Sequence, residues 1–490
     1  VARHRDAVKR LAAVLALAVL ALAAQAQAPE ETVAAPRGLQ LGLADTAFNG
    51  TDAALREEWM TRAQAARAGL VLLGVAWSGI APKLPPAGFD PADPADPAYD
   101  WEALDGAIRA AVARGLEPLL DVNLAPRWAE GPDRPEPAVA PPGTWLPQPA
   151  ALASFSRALA ARYTGAFVDP ASPAAGPLPR VRYFQVWAEQ NLSVHLTPQW
   201  RDGKLVAPQH YRAMLNAAYA AVHAASPGAR VIVGGLAPYG DAKVGGSRVP
   251  PVWFWRALLC LRGPQLRPLA CPEPAHFDVA AHNPIDVWAP SRGAVSPLDV
   301  STPDIGRLTP ILRRAAATGR LLPAGPKPFW ATEIWWDSSP PDPGGVPLRR
   351  HARFLSEALF ELWRQGAGAV VWWYLRDQSP GAAGFGATQQ SGLFFRDGGA
   401  KPAQRAFGFP FVARRRRGDV LLWGKAPAAG RLVLERRTRH GWAPLARAAA
   451  GPRRVFLLHV DAPEGAFRAR ARQGPLSSLP ARVAAGKGGP

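Results

Sequence analysis

The chain has 490 residues, too many for one small domain and enough for a barrel of roughly 250 residues with an accessory domain. Hydrophobic residues make up 48%, an ordinary globular share that excludes a disordered chain; the 53 prolines and 46 glycines are scattered and suit long connections. The net charge of +19 is unevenly placed, because from Pro410 onward 17 Lys/Arg face only 4 Asp/Glu.

The N-terminus is basic, then apolar, then small. Arg3, Arg5, Lys9 and Arg10 precede the apolar run Leu11–Ala24, and Ala24-Gln25-Ala26 and Ala26-Gln27-Ala28 each offer a small-x-small cleavage site. That order is the pattern of an export signal, and the run is shorter than the ~18 residues of a spanning helix. Residues 1–28 are therefore expected to be a signal peptide, and the protein to be secreted or associated with the cell envelope.

From residue 29 to 409 strand-like runs alternate with helical ones. Strands are predicted at Leu39–Ala47, Leu70–Trp77, Pro118–Leu124, Val181–Trp187, Arg230–Leu236, Phe277–His282, Pro328–Ile334 and Ala369–Leu375. Between them the spacing predicts helices over Asp52–Ala68, Trp101–Arg114, Ala150–Tyr163, Gln209–Ala225, Val252–Leu261, Thr302–Thr318 and Leu348–Gln365. Such alternation implies a parallel sheet, and eight repeats point to closure into a (β/α)₈ TIM barrel of the α/β class. An open doubly wound sheet is the alternative, but no Gly-rich dinucleotide loop follows the first strand. The Pro-rich stretches Ala81–Ala98 and Pro126–Pro149 both follow strands, which places them on the active-site face of a barrel. Cys260 and Cys271 are expected to form a disulfide; no Cys/His spacing suggests a metal, and no motif suggests a cofactor.

Beyond residue 410 short strands are predicted at Asp419–Trp423, Arg431–Glu435, Arg454–Val460 and Ala466–Ala471. They read as a small, basic all-β sandwich over residues 410–480, with 481–490 a frayed tail. The run Arg414–Arg417 is a candidate contact for an anionic envelope polymer. Nucleic acid is not expected as a partner, since no nucleic-acid motif is present.

Two glutamates carry the chemistry. Val181–Trp187 is followed by Glu189, and the predicted strand Pro328–Ile334 carries Glu333 near its end. As fourth and seventh strands of a barrel they would present both carboxylates at its mouth. Two carboxyls about 5 Å apart cleave a glycosidic bond by double displacement, one attacking the anomeric carbon and the other protonating the leaving oxygen.

Trp187-Ala188-Glu189-Gln190-Asn191 resembles the Trp-Asn-Glu-Pro-Asn segment of the clan of retaining (β/α)₈ glycoside hydrolases, which includes the cellulase-like family 5 and the xylosidase-like family 39. Thr332-Glu333-Ile334-Trp335-Trp336 resembles the nucleophile segment of the same clan. The resemblance covers roughly residues 38–409. It implies an enzyme that hydrolyses a β-linked oligo- or polysaccharide with retention, Glu189 serving as acid/base and Glu333 as nucleophile. It also implies that Trp372 is an aromatic floor for the sugar. One position departs: the clan's residue before the acid/base is Asn, which binds the sugar 2-hydroxyl, and here it is Ala188. Asn191 is the candidate to compensate. This departure keeps a second reading open, a non-catalytic glycan-binding or envelope protein on the same fold.

Strand alternation supplies the remaining candidates. Asn123 is in phase with Asp121 on the third strand, and His282 ends the sixth. Trp372, Tyr374 and Arg376 share the more polar face of the eighth. With Trp187 and Trp335 beside the glutamates, the expected substrate-binding set is Asn123, Trp187, Asn191, His282, Trp335, Trp372 and Tyr374.

Overall fold

Short runs dense in Val, Leu, Ile and Ala form strands buried on both faces, the signature of a parallel sheet covered by helices. In the computed structural model, which describes residues 37–382, 384–416, 418–472 and 475–484, eight of them pair in parallel. They are β1 (Gln40–Ala44), β2 (Leu70–Ala76), β3 (Glu117–Asn123), β4 (Tyr183–Val186), β5 (Arg230–Val233), β6 (Ala280–His282), β7 (Phe329–Ile334) and β8 (Ala367–Trp373). The ladder runs β6-β7-β8-β1-β2-β3-β4-β5, and parallel bridges Ile232–Val279 and Leu236–His282 join its two ends into a barrel. This is the expected (β/α)₈ fold, within the unit Arg37–Pro410.

The surrounding helices are α1 (Ala53–Ala65), α2 (Glu102–Ala113), α3 (Pro149–Arg162), α4 (Ala207–Ala225), α5 (Pro251–Leu258), α6 (Thr309–Ala317), α7 (Leu348–Arg364) and α8 (Pro402–Gly408). Their starts follow capping rules: Asp52 accepts from the Leu55 N–H at 3.0 Å, and α3, α4 and α5 carry Pro in the first turn, where no N–H is needed. The stretch expected as one helix, Thr302–Thr318, is two. A 3₁₀ segment, Thr302–Arg307, is capped reciprocally by Ser301 and Asp304, and α6 then restarts at Thr309 with Pro310 in its first turn. Pro310 has no N–H to continue an earlier helix, so the break falls there. Cys260 and Cys271, just after α5, are bridged. No helix among the described residues is long and apolar enough to cross a membrane; residues 1–28, read as a signal peptide, lie outside the described residues.

Register fixes which residues point into the barrel. Asp121 and Gln185 are paired across β3 and β4 and joined by a 2.8 Å hydrogen bond, and the Tyr183 and Trp330 rings meet at 4.8 Å. Followed strand to strand, the same phase makes Ala44 and its partner Trp373 inward-facing, and Trp372 outward-facing. The phase assumed from polarity along β8 is therefore corrected by one residue.

From Phe411 onward a second unit is all antiparallel. One sheet has the order β9 (Phe411–Arg415), β10 (Val420–Lys425), β13 (Val455–Val460); the other runs β12 (Gly441–Ala450), β11 (Gly430–Thr438), β14 (Gly465–Ala471), β15 (Ala481–Val483). Leu432, Leu434, Phe467 and Ala469 are buried in alternation along the second sheet. Three strands exceed the expectation. Arg414 and Arg415, part of the run read as a candidate polymer contact, belong to β9, and Ala481–Val483, assigned to the tail, pairs with Gly465–Phe467.

Candidate active site

Glu189 sits on a sharp turn just past β4. Trp187 and Glu189 have φ of +69° and +46°, a left-handed backbone that few non-glycine residues adopt. The turn is held from three sides: Trp187 N–H donates to Val122 O at 2.7 Å, Glu189 N–H to Gly235 O at 2.8 Å, and the Trp187 indole to His195 O at 2.8 Å. Clustered left-handed residues of this kind mark places where surrounding structure fixes a side chain's aim.

Glu333 reaches the mouth by a register slip between Ala331 and Ile334, where β7 loses its simple alternation against β8. The two glutamates meet on one amide: Asn283 Nδ2 donates to Glu189 Oε1 at 3.3 Å and to Glu333 Oε2 at 3.4 Å. Two oxygens held by one nitrogen are at most about 7 Å apart. Asn283 is itself oriented by the Thr332 hydroxyl, which donates to its Oδ1 at 2.9 Å. The Trp335 indole donates to Glu333 Oε1 at 3.0 Å, and His195 Nε2 stands 3.7 Å from Glu189 Oε2.

Burial governs the charge states. It pushes Glu189 up to about 7, against which the Asn283 hydrogen bond acts. Burial pushes Glu333 well above the usual carboxylate range, and the Glu189 charge adds to it while the Trp335 indole opposes it. Asp121, beneath them, is also raised to about 7 by burial, with Gln185 and Asn123 donating against that rise. Near neutral pH the bridged pair therefore holds a proton between two carboxyls. Two effects compete for its place: burial and the neighbouring acids push Glu333 further up than Glu189, which favours the proton on Glu333, while Glu333 accepts two N–H groups and Glu189 one, which favours the charge there.

The fold is matched by a solved structure. The fold is that of a family 39 glycoside hydrolase from the gut symbiont Bacteroides cellulosilyticus WH2. The two chains are 16% identical, the match covers 87% of this chain and 79% of that one, and the TM-score is 0.53. A family 39 enzyme from Xanthomonas axonopodis pv. citri (15% identity, 90% and 96% covered, TM-score 0.48) and a family 39 β-xylosidase from Caulobacter crescentus (16%, 88% and 95%, 0.46) are also similar. No protein-family model matches the sequence, and no curated protein matches it.

The structure gathers some of the expected residues and disperses others. Trp335 contacts Glu333 directly, Asn123 donates to Asp121 on the inward face, and Tyr374 feels the Glu333 charge, being raised to about 12 by burial and then by that carboxylate. Trp187 is buried and anchors the turn, leaving no open face for a sugar. Asn191 is buried too, its amide spent on Ala237 and Val249, so it cannot stand in for the residue missing at Ala188. His282 points outward, bonded to Val300 O at 2.8 Å and lowered to about 4 by burial. Trp372 packs in the helix layer against Trp336 and His351, its indole on Ser391 O. In both last cases the next residue, Asn283 or Trp373, takes the inward place. Asn283 and His195 were missed in the sequence. A polar residue following the strand end at His282 was the available signal for the first, and nothing local marks the second. Among the described residues no cluster of three or more His, Cys, Asp or Glu is placed to hold a metal ion.

Proposed function

We propose that the barrel is a retaining glycoside hydrolase acting on a β-linked oligo- or polysaccharide, with Glu189 as acid/base and Glu333 as nucleophile. The observation that supports this reading is the single Asn283 amide touching both carboxyls, which limits their separation to about 7 Å and so admits the ~5 Å of a double displacement. The fold shared with a family 39 glycoside hydrolase supports it. In the first step the Glu333 carboxylate bonds to the anomeric carbon while the Glu189 carboxyl gives its proton to the departing glycosidic oxygen. In the second, Glu189 takes a proton from water, which attacks the same carbon and releases Glu333. Glu189 at about 7 is suited to being protonated in one step and deprotonated in the other. Trp335, which donates to Glu333, Tyr374, which senses its charge, and the inward-facing Trp373 are half-buried aromatic groups suited to stack on a sugar. The Cys260–Cys271 bridge supports residence in an oxidising compartment, and so export.

The test is a panel of aryl β-glycosides with the product anomer followed by NMR. The expected first product is the β-anomer, and Glu333→Gln lowers turnover by roughly a thousandfold or more. A first product of α configuration overturns retention. Glycan binding with no turnover across the panel favours the reading that Ala188 keeps open, a binding protein on an enzyme's fold.

A further inference from the structure

The second unit's larger sheet has two unlike faces. Its inner rows hold Leu432, Leu434, Phe467 and Ala469. The opposite rows, set by register, place Arg431, Val433, Glu435 and Arg437 on β11 beside Trp442, Pro444, Arg447 and Ala449 on β12. On the other side of β11 lie Arg468 and Arg470 of β14, and then Arg482 of β15 opposite Ala466. Six arginines thus share one face with a single carboxylate; Arg468 and Arg470 are neighbours roughly 7 Å apart along β14, and Arg431, Arg437, Arg447 and Arg482 stand across from Ala449, Trp442, Val433 and Ala466. Arg431, Arg437, Arg447 and Arg482 are exposed.

This face is built as well as charged. Glu435, its side chain buried, accepts from Arg468 Nε at 2.6 Å and Arg470 Nε at 2.8 Å, and their hydrogen bonds outweigh burial to hold its carboxyl below the usual range. The Arg468 guanidinium lies 4.4 Å from the Trp442 ring centroid and that of Arg437 5.6 Å from it. Guanidiniums fixed in this way lose less entropy on binding an anion than free side chains do.

We propose that the outward face of the sheet β12-β11-β14-β15 binds an acidic polysaccharide through its carboxylate or sulfate groups. Guanidiniums spread over one face, two of them held by Glu435, suit the repeated planar or tetrahedral anions of a polymer, and many weak contacts along one chain add up by avidity. Nucleic acid is the less suitable polyanion, since bases want open aromatic rings to stack on, and Trp442 is already occupied by Arg468 and Arg437. The attraction moves from the Arg414–Arg417 run, part of which lies in β9, to a different sheet.

The experiment uses the full chain carrying Glu333→Gln, so that turnover does not consume the probe. Binding to polygalacturonate, dextran sulfate, an uncharged cellulose ether and duplex DNA is measured by affinity electrophoresis. Both acidic polysaccharides are expected to retard the protein and the cellulose ether not; the tighter of the two identifies carboxylate or sulfate as the group read. Combining Arg437→Gln, Arg447→Gln and Arg482→Gln is expected to weaken retardation at least tenfold. The charge-matched set Arg262→Gln, Arg349→Gln and Arg350→Gln, exposed on the barrel, should change it less than twofold. Equal losses from the two sets, no retardation by either acidic polysaccharide, or DNA bound as tightly as the better of them overturns the proposal. Thermal unfolding of both variants, and wild-type-like hydrolysis when the same changes are made with Glu333 intact, shows that each folds. Since the readout is binding, failure of the hydrolase reading leaves its outcome unaffected.

Discussion

Asn283 joins two acids that would otherwise meet only through space. A hydrogen bond donated to a carboxylate favours its charged form, so each of the two it makes works against the rise that burial imposes. Asn283→Ala removes both, and the pair's pKa values move further up. The acidic limb of the kcat/KM profile, which reports ionisation of the nucleophile, should shift to higher pH, with a loss of roughly 10- to 100-fold at the wild-type optimum. An unshifted limb with only a raised KM would assign Asn283 to substrate binding alone. The same burial has a cost in stability. A carboxyl titrating near 4.3 when unfolded and about 7 when folded is deprotonated in the unfolded chain first. Between those values the unfolded state binds fewer protons, so stability falls as pH rises through that window and the penalty is complete above it. Glu189→Gln should therefore raise the Tm by a few degrees at pH 7.5 and by almost nothing at pH 4. A gain equal at both pH values would show that packing, not charge, is responsible.

Strand ends decide where these side chains can stand. Beyond β5 lie Gly234 and Gly235, in the space where the Glu189 turn and Asn283 converge. A Cβ on Gly235 would collide with Asn283 Oδ1 and stand 2.5 Å from Thr332 Oγ1; one on Gly234 would run into Trp187 O. Gly235→Ala should thus displace the Asn283 amide and lower kcat at least tenfold with the fold retained, and unchanged kcat would mean that Asn283 accommodates the methyl elsewhere. The barrel itself was legible in the sequence because apolar runs, caps such as Asp52 and stops such as Gly115, which follows α2 with a φ of +68°, recur in order. The two glutamates were legible because each terminates such a run. Which side of a strand faces the barrel interior was not. β8 is Ala-Gly-Ala-Val-Val-Trp-Trp, apolar on both faces, and polarity further along pointed to the wrong tryptophan. Only the chain of registers from Asp121 round to Ala44 and Trp373 settles it. β6 is three residues long, too short for alternation to choose between His282 and Asn283. In the second unit, β12 and β15 are rich in Ala and Arg, which carry little strand preference, and pairing to β11 and β14 makes them strands.

At the scale of the whole chain, charge divides into two kinds that salt treats differently. The sequence located the basic excess after Pro410 but not on which sheet face it falls, since composition has no register. The carboxyl pair is half-buried and in direct contact with its donors, where mobile ions penetrate little. The arginine face is solvated, and its reach shrinks with the Debye length, from about 10 Å at 0.1 M salt to about 3 Å at 1 M. Raising NaCl from roughly 0.1 to 1 M should leave kcat/KM on an uncharged aryl β-glycoside within about twofold, while attachment to an acidic polysaccharide weakens tenfold or more. Measured on one preparation, the two curves separate the functions without cutting the chain. If hydrolysis of the uncharged substrate falls in step with attachment, the surface field is acting on the carboxyl pair, and the division of labour between the two kinds of charge is wrong. If only attachment falls, the arginines serve to keep the enzyme on its polymer and the carboxyl pair alone sets the rate.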